Sequence, residues 1–228
     1  MNILALDTCT ESCSAALLYQ GKLFECIEMT QRGHSDLILG MMDELFKQAD
    51  ASISEVNVLA FGRGPGSFTG VRVGVGVAQG IAFARDIPVV AISSLAAVAQ
   101  DAADQFEHEF IAVAMDARMG EVYCASFQVV DGLVTLLGDE QVCPPEQFMP
   151  HSEQDWLAAG TGWGVYEAKL SDNFANQLSK ISVEHYPQSK NIIKLAQPEI
   201  DAGRVVSADQ AMPVYLRNNV AKKKGEQK

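Results

Sequence analysis

The sequence has little positive charge for its size. Its 228 residues include 17 lysines and arginines against 29 aspartates and glutamates, a formal net charge of −12. Four of the lysines, at positions 222, 223, 224 and 228, stand in the last seven residues, so the rest of the chain is more acidic still. Because lysine and arginine supply most of the affinity for nucleic acid, any RNA is expected to be held mainly by another protein.

Long apolar segments are also absent. The longest apolar run, Val73–Ala84, is interrupted by three glycines and a glutamine, whereas a helix that crosses a bilayer needs about 20 mostly apolar residues. The first residues, MNILALDT, lack the basic start and the small-residue cleavage site of a secretory signal. We therefore expect a cytoplasmic protein without membrane contact.

Cysteine and histidine are too scattered to suggest a metal site or a disulfide framework. No histidine has a second one three to five positions away, and no second cysteine pair matches the close pair Cys9 and Cys13. An odd number of cysteines without an export signal predicts reduced, buried thiols. The residues concerned are His34, His108, His151, His185, Cys9, Cys13, Cys26, Cys124 and Cys143.

Glycine is concentrated in one segment, Phe61–Ala84, which holds seven of the eighteen glycines and only two charges. Such a segment normally permits close backbone approach, either to a phosphate or to another helix. The loop Gly62–Ser67 follows a predicted strand, Val56–Phe61, and precedes a predicted helix, which suits anion binding. It lacks the lysine of a Walker motif, which weakens the phosphate-loop interpretation.

The residues after this loop leave two interpretations open. Alternating valines at 71, 73, 75 and 77 are typical of a strand, whereas Gly70 with Gly74 and Gly76 with Gly80 share helix faces. Each glycine costs a helix about 1 kcal/mol relative to alanine, so the glycines need a packing reason. A close neighbour within the same chain and a helix of another protein are both compatible with the pattern.

The two halves of the chain resemble each other. Ile3–Asp7 and Ile111–Asp116 are apolar segments that end on an aspartate, and each precedes a second apolar segment with a glycine turn. This repetition predicts two duplicated α/β subdomains. The predicted parts are an N-terminal subdomain at 1–104, a smaller C-terminal subdomain at 105–219 and a basic, disordered tail at 220–228. In the first part, apolar spacings of three and four predict a helix over Ser35–Phe46 with one broad apolar face.

These segments resemble the bacterial TsaB (YeaZ) family over essentially the whole chain. The matching stretches include MNILALDTCTESCSAALLYQGK, RGHSDLILGMMDELF, GRGPGSFTGVRVGVGVAQGIAF and IPVVAISSLAAVA, and GPGSFTGVRVG is the most specific of them. The resemblance implies the actin/Hsp70/sugar-kinase (ribonuclease H-like) superfold. It also implies a role in forming threonylcarbamoyladenosine, a modified nucleoside next to the anticodon of tRNA.

In that family the catalytic subunit is a paralogue, TsaD, and TsaE is an ATPase partner. The resemblance therefore implies a non-catalytic scaffold without a cofactor, which binds TsaD through two helices and forms a homodimer when alone. Its contact with tRNA would be indirect, through the complex. The interface residues predicted on this basis are Leu37, Met41, Leu45, Gly70, Val71, Val73, Gly74 and Val77.

The resemblance also bears on chemistry. TsaD carries a metal-binding His-x-x-x-His whose positions correspond here to Ser94 and Val98, neither of which suits a metal. The superfold places nucleotide and magnesium in a cleft between its subdomains, which implies a vestigial nucleotide site. Its residues would be Asp7, Thr8, Thr10 and Asp116, although the two aspartates could equally satisfy backbone donors in tight turns.

Two other functions remain as alternatives. A glycoprotease-like peptidase predicts a metal or a nucleophile, but the adjacent residues His34, Ser35 and Asp36 cannot form a triad. A small ATPase or sugar-type kinase would use Asp7 and Asp116, and it predicts nucleotide hydrolysis by the isolated chain.

Overall fold

The structure, a computed structural model, describes residues 1–30 and 33–217. The predicted tail at 220–228 lies outside these residues. The strands are β1 (Ile3–Asp7), β2 (Ser12–Tyr19), β3 (Lys22–Met29), β4 (Val58–Gly62), β5 (Val89–Ile92), β6 (Phe110–Asp116), β7 (Val122–Val130), β8 (Leu133–Cys143), β9 (Trp156–Ala159) and β10 (Leu178–Ser182). The helices are α1 (His34–Ala49), α2 (Phe68–Arg85), α3 (Ser94–Phe106), α4 (Thr161–Phe174) and α5 (Ser189–Asp201).

The strands form two five-stranded mixed sheets with the same topology. The first has the order β3-β2-β1-β4-β5 and the second the order β8-β7-β6-β9-β10. In each, the first strand pairs antiparallel with the second and parallel with the fourth. The predicted duplication is confirmed, and the fold is that of the actin/Hsp70/sugar-kinase superfold. We call the first sheet with its helices the first lobe, and the second sheet with its helices the second lobe.

The lobes differ in one helix. The first lobe has α1 between its third and fourth strands, whereas the second has only a short 3-10 turn, Pro145–Gln147, at the corresponding place. The residues after the loop Gly62–Ser67 form the helix α2, which decides between the strand and helix interpretations of their pattern. Ser67 begins this helix as N-cap, because its Oγ accepts a hydrogen bond from the Gly70 N–H at 3.0 Å.

The last helix of each half packs across to the other lobe. α3 buries Leu95 and Val98 against β6, β7 and β9 of the second sheet. α5 buries Ile192 and Ala196 against β1 and β4 of the first sheet. The boundary predicted between residues 104 and 105 lies inside α3. Because α3 and α5 each pack against the sheet of the other lobe, these two helices join the two halves of the sequence.

Residues 211–217, which we call the C-terminal strap, follow α5 and return to the first lobe without regular secondary structure. The Val214 N–H donates to the Arg63 carbonyl oxygen at 2.8 Å, and the Gln79 amide donates to the Ala211 carbonyl oxygen at 2.8 Å. Arg217, the last described residue of the strap, donates to the Glu121 carboxylate beside β7 at 2.6 Å, so the strap ends next to the second lobe. Within the described residues, no helix has the length and apolarity required to cross a membrane.

Candidate functional site

A cleft of about 490 Å³ lies between the lobes, at the carboxyl ends of β1 and β6. In folds of this class, ligands bind at the carboxyl ends of strands. The first lobe, the second lobe and the C-terminal strap each supply part of the wall. The lining residues include Thr10, Glu11, His34, Ser67, Phe68, Asp116, Arg118, Tyr123, Thr161, Tyr215 and Arg217.

Charged side chains join the lobes across this cleft. Asp116 at the end of β6 accepts hydrogen bonds from the Arg118 N–H and the Arg118 guanidinium, both at 2.9 Å. The same guanidinium contacts the Glu11 carboxylate of the first lobe at 3.0 Å. Arg118 and the following Met119 both have positive φ angles, 61° and 58°, which is uncommon for residues other than glycine. The turn thereby presents Arg118 to both lobes.

Asp7 does not line the cleft, contrary to the prediction. Its side chain is fully buried, and its two oxygens accept hydrogen bonds from the Cys9 N–H at 2.8 Å and the Ser94 hydroxyl at 3.2 Å. Burial raises the pKa of this carboxyl to about 7, although the two hydrogen bonds act in the opposite direction. The carboxyl of Asp7 is enclosed by the chain and cannot contact a ligand in the cleft.

Thr8 is also enclosed. Its hydroxyl donates to the Gly70 carbonyl oxygen at 2.6 Å, and the residue is fully buried. Of the four residues predicted for a vestigial nucleotide site, Thr10 and Asp116 line the cleft, whereas Asp7 and Thr8 lie behind its wall. The structure thus brings two of the four predicted residues to the cleft. The burial of the other two was not visible in the sequence, because strand ends can be located from a sequence but the segment that covers them cannot.

The covering segment is the glycine-rich run itself. A Cβ atom at Gly62 would overlap the Asp7 carboxylate, one at Gly66 the Cys9 carbonyl, and one at Gly70 the Thr8 carbonyl. A Cβ at Gly74 would lie 2.8 Å from the Thr8 hydroxyl oxygen. The Ser67 N–H, at the start of α2, donates to the Cys9 carbonyl oxygen at 2.7 Å. The loop that resembled an anion cradle is therefore filled by residues 7–9 of the same chain.

Several predicted interface residues consequently face the interior. Leu45, Gly70, Val71 and Gly74 are buried in the first lobe, so these four residues do not form part of its exposed surface. Leu37, Met41, Val73 and Val77 are half-buried, and all except Val73 pack against the same core.

The outward side of α2 carries a different set of residues. Two exposed aromatic residues, Phe68 at 60 % and Phe83 at 82 % exposure, flank two glycines. A side chain at Gly76 or Gly80 would have no atom within 4 Å of its Cβ. Sequence reasoning noticed the spacing of these glycines but did not place them on the open face. We call Phe68, Arg72, Gly76, Gly80 and Phe83 the outer stripe of α2.

Phe68, the first residue of the outer stripe, lies beside Tyr215 of the C-terminal strap. The guanidinium of Arg72 lies 3.2 Å from the centre of the Phe68 ring and 5.1 Å from that of Tyr215. The two rings are 6.1 Å apart. Phe68 and Tyr215 also line the cleft, so the outer stripe and the cleft share an edge.

The structure brings together one further group that the sequence did not reveal. His185 Nδ1 lies 2.7 Å from the Asp101 carboxylate, and His185 Nε2 lies 2.9 Å from the Ser182 hydroxyl. These residues come from α3, from the end of β10 and from the loop before α5, so their spacing gave no signal. The imidazole is only 1 % exposed, and Ser182 does not line the interlobe cleft. The geometry is that of a serine–histidine–aspartate relay in which the histidine is buried and the serine is half-buried.

The positions that correspond to the metal ligands of TsaD are also internal. Ser94 and Val98 lie one turn apart at the start of α3, and both are fully buried. Ser94 donates its hydroxyl to Asp7, while Val98 packs in the core of the second lobe. Within residues 1–30 and 33–217, no group of three or more histidine, cysteine, aspartate or glutamate side chains could hold a metal ion.

Comparison with known proteins places this architecture in a family. The family model "TsaD: tRNA N6-adenosine threonylcarbamoyltransferase" matches residues 28–225. The curated protein TsaB of Haemophilus influenzae is 43 % identical, with 98 % of this chain and 97 % of that protein aligned. TsaB of Escherichia coli is 37 % identical over 98 % of each chain. The chain belongs to the TsaB family.

Solved structures agree with this assignment. A solved structure described as YeaZ from Pseudomonas aeruginosa superposes on this TsaB-family chain with a TM-score of 0.88 and 41 % identity, covering 94 % of this chain and 99 % of that one. A second, described as an uncharacterized protein with similarity to peptidase YEAZ from the same organism, gives a TM-score of 0.90 and 42 % identity, with 95 % and 99 % coverage. The family resemblance seen in the sequence is confirmed.

Proposed function

We propose that this chain is a non-catalytic subunit of the machinery that forms threonylcarbamoyladenosine on tRNA. It binds and supports a TsaD-like catalytic paralogue, together with a TsaE-like ATPase, and works in the cytoplasm. Its contact with tRNA is indirect, and the chain forms a homodimer when the paralogue is absent. The names of its relatives, which refer to biosynthesis of this nucleoside, support a role in this process. The outer stripe of α2 is the observation that supports a docking role.

The outer stripe has the shape of a helix-docking surface. Gly76 and Gly80 are spaced about one helical turn apart, and the space where their side chains would stand is open. Glycines at this spacing allow the backbone of a second helix to approach closely. Phe68 and Phe83 are exposed at the two ends of the stripe and could bury their rings against such a helix. On α1, which contacts α2, Leu39 is a further exposed apolar side chain, at 53 % exposure.

The interior arrangement argues against catalysis by this chain. The Asp7 carboxyl, which a kinase or ATPase of this superfold would need at its magnesium site, is sealed behind Gly62. Asp116 is already paired with Arg118. A side chain that cannot reach the cleft cannot bind a metal–nucleotide complex there. These facts support a scaffold over the alternative of a small ATPase or kinase.

Binding of the purified TsaD-like paralogue from the same organism tests the proposal. We expect Gly76→Glu to weaken binding at least tenfold, because the carboxylate would occupy the space reserved for the partner's helix. The matched control is Ala168→Glu, which adds the same charge to an exposed position of α4. Circular dichroism would verify that both variants fold. Unchanged affinity for a folded Gly76→Glu variant would refute docking through this stripe.

The relay of Ser182, His185 and Asp101 is the observation in the described structure that favours a peptidase. A serine nucleophile must be reached by its substrate, whereas the imidazole that would activate Ser182 is buried. We propose that the relay ties α3 to β10 as a structural element. A fluorophosphonate probe should leave the protein unlabelled. Labelling that is lost in Ser182→Ala would support the peptidase instead.

A further inference from the structure

Two of the five cysteines form a close pair in the second lobe. Cys124 on β7 is fully buried, and Cys143 at the end of β8 is 7 % exposed. Their sulfur atoms lie 3.5 Å apart. Both side chains project into the core around Trp156 and Trp163. The sequence separation of 19 residues gave no signal for the pair, because it depends on how the β7–β8 hairpin is registered.

The backbone around the pair is able to adjust. Cys143 is opposite Val122, and Cys124 is opposite Gln141, so the cysteines are diagonal neighbours on one face of the hairpin. Diagonal positions have Cα atoms roughly 7–8 Å apart, while disulfides usually span about 4.4–6.8 Å. The register of the two strands shifts between Cys124 and Ser126, where the ladder is irregular. A small local movement therefore brings the sulfurs within bonding distance.

We propose that Cys124 and Cys143 are a redox modification site, which closes to a disulfide when the protein meets a peroxide. In the first step the Cys143 thiolate attacks the peroxide, becomes a sulfenic acid and reduces one peroxide oxygen to water. In the second step the Cys124 sulfur attacks the Cys143 sulfur, and the hydroxyl leaves as water with the Cys124 proton. Two thiols lose two electrons, and one hydrogen peroxide becomes two waters.

The structure distinguishes the roles of the two sulfurs. Cys143 is the more exposed, and its thiolate would accept a hydrogen bond from the Cys124 thiol, which lowers the pKa of Cys143. The same hydrogen bond, together with burial, raises the pKa of Cys124. Cys143 is therefore the first to react and Cys124 the resolving thiol. The disulfide would join the ends of two strands next to Glu121, which binds Arg217 of the C-terminal strap at 2.6 Å.

The test is peptide mapping of the full chain after treatment with hydrogen peroxide and alkylation under denaturing conditions. We expect a Cys124–Cys143 cross-linked peptide pair, a mass loss of two hydrogens and reversal by dithiothreitol. Cys26→Ser, which removes a half-buried thiol of β3, should leave this product unchanged. In Cys124→Ser, dimedone should trap a sulfenic acid at Cys143 that is not trapped in the wild type.

Two results would overturn the proposal. One is a wild-type protein in which Cys124 and Cys143 are both still alkylated after peroxide has oxidised Cys26. The other is oxidation of Cys143 to a sulfinic acid without a cross-link. Both are read from the wild-type chain, so they do not depend on whether the Cys124→Ser variant folds.

Discussion

Asp7 shows how a residue that marks a ligand site in a superfold can be used for structure. The sequence predicts its place at the end of the first strand, and the structure confirms it. Its burial depends on Gly62, Gly66 and Gly70, which are more than fifty residues away and admit the segment 7–9 against the helix. No local pattern reveals such a contact. The enclosure of Asp7 was therefore not visible in the sequence.

The buried carboxyl of Asp7 makes stability depend on pH. The folded chain holds this proton up to a pKa of about 7, whereas the unfolded chain releases it near 3.8. Between these values the folded state binds more protons, so the contribution of Asp7 to the free energy of unfolding decreases as pH rises and levels off above 7. Asp7→Asn keeps an acceptor for the Cys9 N–H and carries no charge. At pH 8 we expect the free energy of unfolding of Asp7→Asn to exceed that of the wild type by about 2 to 4 kcal/mol.

Urea denaturation from pH 5 to pH 8 measures this effect. The gap between Asp7→Asn and the wild type should widen as pH rises. Asp172→Asn, at an exposed position of α4, serves as the control and should follow the wild type. Parallel curves for Asp7→Asn and the wild type would show that the carboxyl is ionised in the folded chain.

At the scale of elements, the glycines of α2 have different roles on the two faces of the helix. Gly70 and Gly74 face inward and admit residues 7–9, whereas Gly76 and Gly80 face outward into open space. The four-residue spacings were visible in the sequence, but valine and glycine occur on both sides of this helix. The usual contrast between an apolar and a polar face, from which orientation is inferred, is therefore weak.

Alanine substitutions should distinguish the two faces. Gly76→Ala is expected to raise the free energy of unfolding by about 0.5–1 kcal/mol, because alanine restricts the unfolded chain and meets no atom in the folded one. Gly70→Ala should lower it by about 2 kcal/mol or more, because its methyl group would overlap the Thr8 carbonyl. Chemical denaturation of the two variants measures both values. Equal changes in the free energy of unfolding for Gly76→Ala and Gly70→Ala would contradict this assignment of the inner and outer faces of α2.

Element prediction succeeded where a local pattern repeats and failed where packing decides. The strand that ends on an aspartate appears in both halves, and this repetition correctly predicted the duplicated sheets. The strand β10, LSKIS, was missed because it is short and mixes polar with apolar residues. The crossing of α3 and α5 between lobes was also missed, since periodicity shows that a helix has an apolar face but not which sheet it covers.

At the scale of the whole molecule, a few charged contacts join the lobes. Arg63 after β4 contacts both carboxylate oxygens of Glu140 on β8, at 3.0 and 3.1 Å. Glu140 is nearly buried, with 8 % of its side chain exposed. Arg118 and the C-terminal strap add further connections across the cleft. The scaffold role proposed above is consistent with lobes that are held together.

Removing the charge of Glu140 tests this connection. Glu140→Gln leaves the Arg63 guanidinium largely buried without its counter-charge, so we expect the free energy of unfolding to fall by about 1–3 kcal/mol. Glu146→Gln is the control, because Glu146 pairs with Lys169 at the surface and should change stability little. Thermal and urea unfolding measure both variants. A loss no larger than that of the control would show that this ion pair does not stabilise the closed arrangement.

The central claim is that the outer stripe of α2, and not the chemistry of the cleft, carries the function. Its most direct test is the threonylcarbamoyladenosine content of tRNA, measured by mass spectrometry in a bacterial strain that depends on this chain. Asp116→Asn, which alters the one predicted nucleotide-site carboxylate that lines the cleft, should retain the modification. Gly76→Glu should lose it while the protein remains folded and abundant. The account would be contradicted if Asp116→Asn abolished the modification and Gly76→Glu preserved it.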